Sequence, residues 1–129
     1  PLLITSVSLI AKSSSLPEGW AELTTVEQAK AAIASSSEKP VLFFKHSTRC
    51  PISTMAHRRL EIAAEQLSTH MNTQYLDLIA YREVSDWLAQ QLNVTHQSPQ
   101  VILVKNKEVI HISTHNEING SEILEELFA

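Results

Sequence analysis

The chain contains short apolar runs and several segments of helical periodicity, a mixture that predicts an α/β fold. Residues 41–44 (Val-Leu-Phe-Phe) are continuously apolar and follow Pro40, which is typical of a strand buried on both faces. From Ser53 to about His70, apolar residues recur at helical spacing and predict one long amphipathic helix, with Ala56, Leu60, Ala63 and Leu67 on one face. A buried strand therefore runs through a short loop into a helix near residue 50.

The remaining segments extend this alternation. Thr25 and Gln28 are spaced as in a capping box and predict a helix to about Ser35. Residues 73–79 predict a second strand, and apolar residues at Val84, Trp87, Leu88 and Leu92 predict a second helix. Apolar runs at 101–104 and 109–112, joined by a polar connector, predict a hairpin. Asn119 starts a last helix that is expected to turn Ile123, Leu124, Leu127 and Phe128 inward.

The predicted order after the first helix is βαβαββα, which is the order of thioredoxin-like folds. We expect a central mixed sheet of about four strands flanked by helices. The 129 residues, 43% of them hydrophobic, suit a single core. We assign residues 18–129 to this domain and residues 1–17 to an N-terminal extension of unknown role.

Composition excludes several classes of function. The formal net charge of −4 argues against nucleic acid as a partner, because phosphate binding needs a surplus of Lys and Arg. Two glycines are too few for a glycine-rich phosphate loop. The apolar run at 2–11 lacks a basic start and is too short to span a bilayer, so no membrane association is expected. A single cysteine cannot form an intramolecular disulfide and favours a reducing compartment such as the cytoplasm.

That cysteine, Cys50, lies at the candidate site. It comes just before the long helix, and Pro51 suits the first helical position. Unpaired N–H groups at a helix N-terminus and nearby positive charge both favour a thiolate. Lys45, His46 and Arg49 precede the cysteine, and no acidic residue occurs between Glu38 and Glu61. The sequence therefore predicts a nucleophilic cysteine supported by these basic residues.

Two further features define the kind of chemistry. Ser53 stands where a C-x-x-C motif has its second cysteine, so a mixed disulfide at Cys50 needs a second thiol for release. The Ser53 hydroxyl is expected to hydrogen-bond the Cys50 sulfur. Ser98 and Pro99 precede the third strand, where the fold analogy implies a cis-proline opposite the cysteine, with the Ser98 backbone binding the peptide-like part of a thiol. The other histidines are not paired with further cysteines, so no metal site is predicted.

The segment Phe43-Phe44-Lys45-His46-Ser47-Thr48-Arg49-Cys50-Pro51-Ile52-Ser53, with Ser98-Pro99-Gln100 downstream, resembles the monothiol bacilliredoxin (YtxJ-like) family from about Trp20 onward. The resemblance implies a thioredoxin fold and an oxidoreductase that removes bacillithiol from protein mixed disulfides. Cys50 would be the nucleophile, free bacillithiol the co-substrate, S-thiolated proteins the partners and Pro99 the cis-proline. No tightly bound cofactor is implied.

Two alternatives stay open at this point. A monothiol glutaredoxin-like carrier would use Cys50 as an iron–sulfur ligand. Pro51 stands where the CGFS motif of those carriers has glycine, and Gly120 is isolated near the C-terminus, which disfavours this interpretation. A non-catalytic redox sensor would instead change its partner binding when Cys50 is modified.

Overall fold

The computed structural model describes residues 16–129, which contain five strands and five α-helices. The strands are β1 (Trp20–Glu22), β2 (Val41–His46), β3 (Asn72–Asp77), β4 (Gln100–Lys105) and β5 (Glu108–Thr114). The helices are α1 (Val26–Ser35), α2 (Pro51–Ile62), α3 (Ala64–Ser68), α4 (Arg82–Leu92) and α5 (Gly120–Phe128), with a 3₁₀ turn at His115–Glu117.

The strands form one mixed sheet in the order β1-β3-β2-β4-β5. β3 runs parallel to both β1 and β2, while β4 is antiparallel to both β2 and β5. β2 is the central strand and all six of its residues are buried, which explains its continuous apolar run. The sheet has five strands rather than the expected four, because the three-residue edge strand β1 is too short to show a period in sequence.

The sheet separates two apolar cores. Leu42 and Phe44 of β2 face one core, which is completed by α2, α3 and α5. Val41 and Phe43 face the other core, against α1 and α4. Side chains alternate between the two faces of a strand. Lys45 therefore continues the Val41 face and His46 the Phe44 face.

Local signals in the sequence fix several element ends. Thr25 caps α1 in a complete capping box with Gln28, as expected. Asn119 caps α5 by accepting a hydrogen bond from the Glu122 N–H at 2.8 Å. The hairpin turns at Asn106 and Lys107, which both have positive φ, as a type I′ turn requires.

Two predictions about helices are wrong. The helix expected from Ser53 to His70 is divided into α2 and α3 at Ala63, which has φ −90° and ψ 1°. The division coincides with a close approach of α5, since a Cβ on Gly120 would lie 2.6 Å from the Ala63 Cβ. Phe128 is 66% exposed rather than inward, and its ring packs edge-on against His70 instead of entering the core.

The predicted extension at residues 1–17 lies almost wholly outside the described residues, which begin at residue 16. The same holds for the apolar run at 2–11. Within residues 16–129, no helix is long and apolar enough to cross a membrane.

Candidate functional site

Cys50 lies where the chain passes from the central strand into α2. It is the N-cap residue, with extended backbone angles (φ −114°, ψ 120°), and Pro51 begins the helix. The Cys50 carbonyl accepts the N–H of Thr54 at 3.0 Å, and the Cys50 N–H donates to the Ser47 carbonyl at 3.2 Å. The free thiol is partly buried. This backbone geometry holds the sulfur at the N-terminus of α2.

The helix end supplies a favourable environment for negative charge on that sulfur. The first turn of α2 contains no acidic residue. Within residues 16–129, no side chain caps this helix end with a hydrogen bond. Unpaired N–H groups and the positive end of the helix dipole favour negative charge on a side chain at the N-cap position. A thiolate is the nucleophilic form of cysteine, so this position promotes thiol exchange.

The basic residues predicted around Cys50 are not all directed to it. Arg49 is exposed immediately before the cysteine. Arg59, a further basic residue of α2, donates to two backbone carbonyls, those of Ile118 at 2.8 Å and His115 at 3.0 Å. Lys45 lies on the opposite face of the sheet from His46. The local positive charge near the sulfur is therefore smaller than the sequence suggested.

Ser53, three residues after Cys50, is completely buried. Its Oγ accepts the Ser47 N–H at 3.0 Å and lies 2.6 Å from His46 Nδ1. The expected hydrogen bond between this hydroxyl and the Cys50 sulfur is not present in the described structure. The reason is that His46, at the end of β2, competes for the same hydroxyl.

His46 belongs to a cluster of packed rings and directly precedes the loop that carries Cys50 (residues 47–50, the cysteine loop). Its ring centroid lies 4.8 Å from that of His57 and 5.6 Å from that of Tyr75. His57 is stacked on Tyr75 at 5.2 Å and on Trp20 at 5.8 Å. These rings come from β2, α2, β3 and β1 and form one continuous aromatic wall.

The imidazoles in this wall are neutral at pH 7. Burial, reinforced by the charge of His57, lowers the pKa of His46 to about 4, although Asp77 and the hydrogen bond with Ser53 act in the opposite direction. Burial also lowers the pKa of His57, despite the carboxylate of Glu61. Burial raises the pKa of Tyr75 to about 12. The imidazoles of the wall therefore add no positive charge next to the cysteine loop at this pH.

Lys45 forms a separate contact on the other side of the sheet. Its side chain is fully buried, and Nζ lies 3.3 Å from Nδ1 of His96. Burial lowers the pKa of Lys45 to about 8, which the carboxylate of Asp86 only partly offsets. The predicted support of Cys50 by Lys45 is therefore not seen as a direct contact.

The segment before β4 lies beside the cysteine loop. The Ser98–Pro99 peptide bond is cis, as the fold analogy implied. Gln100 pairs with Lys45 in the sheet, so Pro99 lies next to the end of β2, where the cysteine loop begins. Pro99 is buried. The contact of Ser98 with a bound thiol stays a prediction.

The aromatic wall and the lysine contact were not predicted. The sequence alone gave neither His57 nor His96 a role at the site. Trp20, Tyr75 and His96 are distant in sequence from Cys50, so their approach depends on strand order. The two-residue alternation of β2 could have shown that Lys45 and His46 face opposite sides.

Among residues 16–129, no three His, Cys, Asp or Glu side chains converge to hold a metal ion.

Comparison with solved structures identifies the class of protein. A structure described as a candidate oxidoreductase with a thioredoxin fold superposes with a TM-score of 0.73 at 30% sequence identity, covering 84% of this chain and 93% of that chain. Thioredoxin from Trypanosoma brucei brucei gives 0.64 at 15% identity, covering 84% of this chain and 87% of its own. A redox protein from Chlamydomonas reinhardtii gives 0.67 at 20% identity, covering 94% of this chain and 37% of its own. The predicted thioredoxin-like fold is confirmed.

The sequence narrows this class to one family. The model of the family described as monothiol bacilliredoxin BrxC matches residues 21–123. The chain belongs to that family, which confirms the resemblance carried by the Cys50 and Pro99 segments. Membership and the 30% identical oxidoreductase-like structure together support a thiol redox role.

Proposed function

We propose that this protein is a monothiol oxidoreductase that removes a low-molecular-weight thiol, bacillithiol, from mixed disulfides on proteins. The observation that carries the proposal is the pairing of one cysteine at a helix N-terminus with a serine oxygen at the position of a second thiol. Cys50 can therefore attack a disulfide but has no internal thiol to complete a second exchange. Family membership supports the choice of bacillithiol.

The reaction has two balanced exchanges. The Cys50 thiolate attacks the bacillithiol sulfur of the mixed disulfide, forms a disulfide with bacillithiol and releases the protein cysteine as a thiolate, which takes a proton from water. A free bacillithiol thiolate then attacks the bacillithiol sulfur on Cys50. This second exchange releases oxidised bacillithiol and restores the Cys50 thiolate.

The environment of Cys50 suits both exchanges. The N-terminus of α2 stabilises the attacking and leaving forms of the same sulfur. The cis Ser98–Pro99 segment beside the cysteine loop is the proposed binding edge for the peptide-like part of bacillithiol. Since a lone cysteine suits a reducing environment, we assign the activity to the cytoplasm of a bacterium that makes bacillithiol.

Intact mass spectrometry tests the proposal. Reduced protein is mixed with model proteins carrying bacillithiol or glutathione, in parallel with the Cys50→Ser variant. We expect transfer of bacillithiol to the wild type alone, and reversal by free bacillithiol. Transfer of glutathione only would contradict the co-substrate. Transfer of neither thiol would contradict the enzymatic role and favour an iron–sulfur carrier or a redox sensor, of which the carrier would show a visible band after anaerobic reconstitution.

A further inference from the structure

Lys45 and Gln100 stand side by side on one face of the sheet. They are register partners in the antiparallel pair of β2 and β4, and both residues are buried. Residues that face each other across two paired strands place their side chains on the same face. Val41 and Ile102 of the same strands lie on this face, in the core that α1 and α4 cover. Two long polar side chains therefore border an apolar core.

Both of these side chains bind the segment that leads into β4. Lys45 Nζ lies 3.3 Å from Nδ1 of His96, and Gln100 Nε2 donates to the Thr95 carbonyl at 3.0 Å. Within residues 16–129, the other polar atom of the Gln100 amide, Oε1, is buried without a hydrogen-bond partner. Two neighbouring residues of the segment are thus tied to two neighbouring residues of the sheet.

The contact between Lys45 and His96 is charge-assisted at neutral pH. Burial lowers the pKa of Lys45 to about 8, which Asp86 on α4 only partly offsets, so the ammonium form predominates at pH 7. Burial, together with the charges of Lys45 and Arg82, lowers the pKa of His96, so its imidazole is neutral and Nδ1 can accept. Since hydrogen bonds to ionised groups are the stronger ones, the tie at His96 is stronger than the tie at Thr95.

The segment is fixed at its other end by Pro99. The Pro99 carbonyl accepts the His115 N–H at 3.1 Å, and β4 begins at the next residue. Gln97 and Ser98 lie between the two fixed points. Among residues 16–129, no backbone carbonyl accepts either of their N–H groups, and Ser98 Oγ is buried without a hydrogen-bond partner. Unpaired polar groups are therefore held beside the end of β2, where the cysteine loop begins.

We propose that Lys45 and Gln100 are positioning residues that hold Gln97 and Ser98 in place to hydrogen-bond the amide of a thiol on Cys50. A ligand that pairs with a segment already held in place loses less conformational entropy on binding. The ligand class is a thiol that carries an amide close to its sulfur, as a cysteinyl conjugate does. The inference rests on the proposed function, because it concerns binding of the same thiol, and it assigns Lys45 a role that needs no contact with the sulfur.

The first test measures the motion of the segment by backbone nitrogen NMR relaxation of the full reduced chain. Lys45→Met fills a similar volume without charge, and Gln100→Met removes the donor to the Thr95 carbonyl. Each substitution is expected to lower the order parameters of residues 97 and 98 from about 0.85 to about 0.6 or below. Lys30→Met, the same substitution on the exposed side of α1, is the matched control and should leave them unchanged.

Substitutions of His96 separate the hydrogen bond from the packing. His96→Asn offers an amide oxygen in place of Nδ1 and should keep the segment ordered, whereas His96→Leu offers no acceptor and should behave like Lys45→Met. His96 is exposed, so both variants are expected to fold. Wild-type order in Lys45→Met and in His96→Leu would overturn the inference. If Lys45→Met does not fold, the His96 variants and Gln100→Met decide.

The second test measures ligand binding without any enzymatic transfer. Cys50 is activated as an aromatic mixed disulfide and then loaded by exchange with bacillithiol or with mercaptoethanol, which has no amide. Bacillithiol is expected to slow exchange of the Ser98 N–H with solvent about tenfold in the wild type and less than about threefold in Lys45→Met. Mercaptoethanol should not slow it in either protein.

Three results of the loading experiment would overturn the inference: no slowing by bacillithiol, equal slowing by mercaptoethanol, or equal slowing in the wild type and Lys45→Met. Because Cys50 is loaded chemically, each result is independent of whether the protein takes bacillithiol from other proteins. Mass spectrometry of thiol transfer decides that question, so a failure of the inference and a failure of the proposed function are distinguishable.

Discussion

The Ser53 hydroxyl lies 2.6 Å from His46 Nδ1, so an oxygen held by a histidine occupies the helix position where a dithiol protein has its second sulfur. Ser53 is fully buried, so a thiol from solvent cannot reach the place of its hydroxyl. Cys50 is the single cysteine of the chain, so no second thiol is available at this position. A single substitution that places a thiol here should therefore let the protein complete the second exchange internally.

Ser53→Cys is expected to convert the site to internal exchange. The new thiol would lie three residues after Cys50 at the start of α2, the spacing at which C-x-x-C motifs form a disulfide. After treatment with an oxidised small thiol, intact mass should show the wild type carrying one adduct and the variant carrying none but lacking two hydrogens. Ser53→Ala is the control and should keep the adduct. A persistent adduct on the Ser53→Cys variant would contradict this prediction.

The buried histidine predicts a loss of stability in acid. The pKa of His46 is about 4 in the folded chain and near 6.5 when unfolded, so the unfolded chain binds more protons between these values. The free energy of unfolding should therefore fall as the pH drops from about 7 to 4, by up to about 3 kcal/mol from this group. His57, whose pKa is also lowered, acts in the same direction.

Urea unfolding at several pH values between 4.5 and 7.5 measures this effect. His46→Asn lacks the titrating ring and should show a shallower fall over the same range. The contribution assigned to His46 is wrong if both proteins lose stability equally on acidification.

The features that the sequence predicted correctly depend on interactions between residues that are close in sequence. Thr25, Asn119 and the turn at Asn106 act on backbone groups a few residues away, so their patterns were informative in sequence. Cys50 and Pro51 also depend on a local transition from strand to helix, and the sequence indicated it correctly. The resemblance to known proteins then supplied the family.

Contacts that depend on the order of the strands in the sheet could not be predicted from local sequence patterns. Trp20 meets His57 only because β1 pairs with β3 at the sheet edge. Lys45 was grouped with the cysteine because the apolar run of β2 hid its two-residue alternation. The hydrogen bond from Ser53 to the sulfur was predicted from spacing alone, and the competing His46 was not considered. Tertiary packing decided each of these points.

The hairpin turn offers a stabilising substitution away from the site. Lys107 has φ 67°, in the left-handed region where residues with a Cβ are strained. Its N–H donates to the Ser36 hydroxyl at 2.8 Å, a backbone contact that glycine keeps. Lys107→Gly should therefore raise the free energy of unfolding by about 0.5–1 kcal/mol, measured by urea denaturation. Lys105→Gly, in strand β4, is the control and should lower it; a fall for both variants would show that flexibility outweighs the relief of strain.

Lys45 should be a net cost to stability at neutral pH. It is fully buried, with His96 as its hydrogen-bond partner, and its pKa of about 8 means that at pH 7 the folded chain carries a poorly solvated ammonium. Since the unfolded lysine titrates near 10.4, the unfolded chain binds more protons between pH 8 and 10, and wild-type stability should rise over that range.

Lys45→Met fills a similar volume without charge and should raise the free energy of unfolding at pH 7 by about 1–3 kcal/mol, an advantage that shrinks by pH 10. Chemical denaturation at both pH values measures this difference, with Lys30→Met on the exposed side of α1 as the matched control. A variant that is equally destabilised at pH 7 and pH 10 would mean that the contact with His96 outweighs the cost of burying the charge.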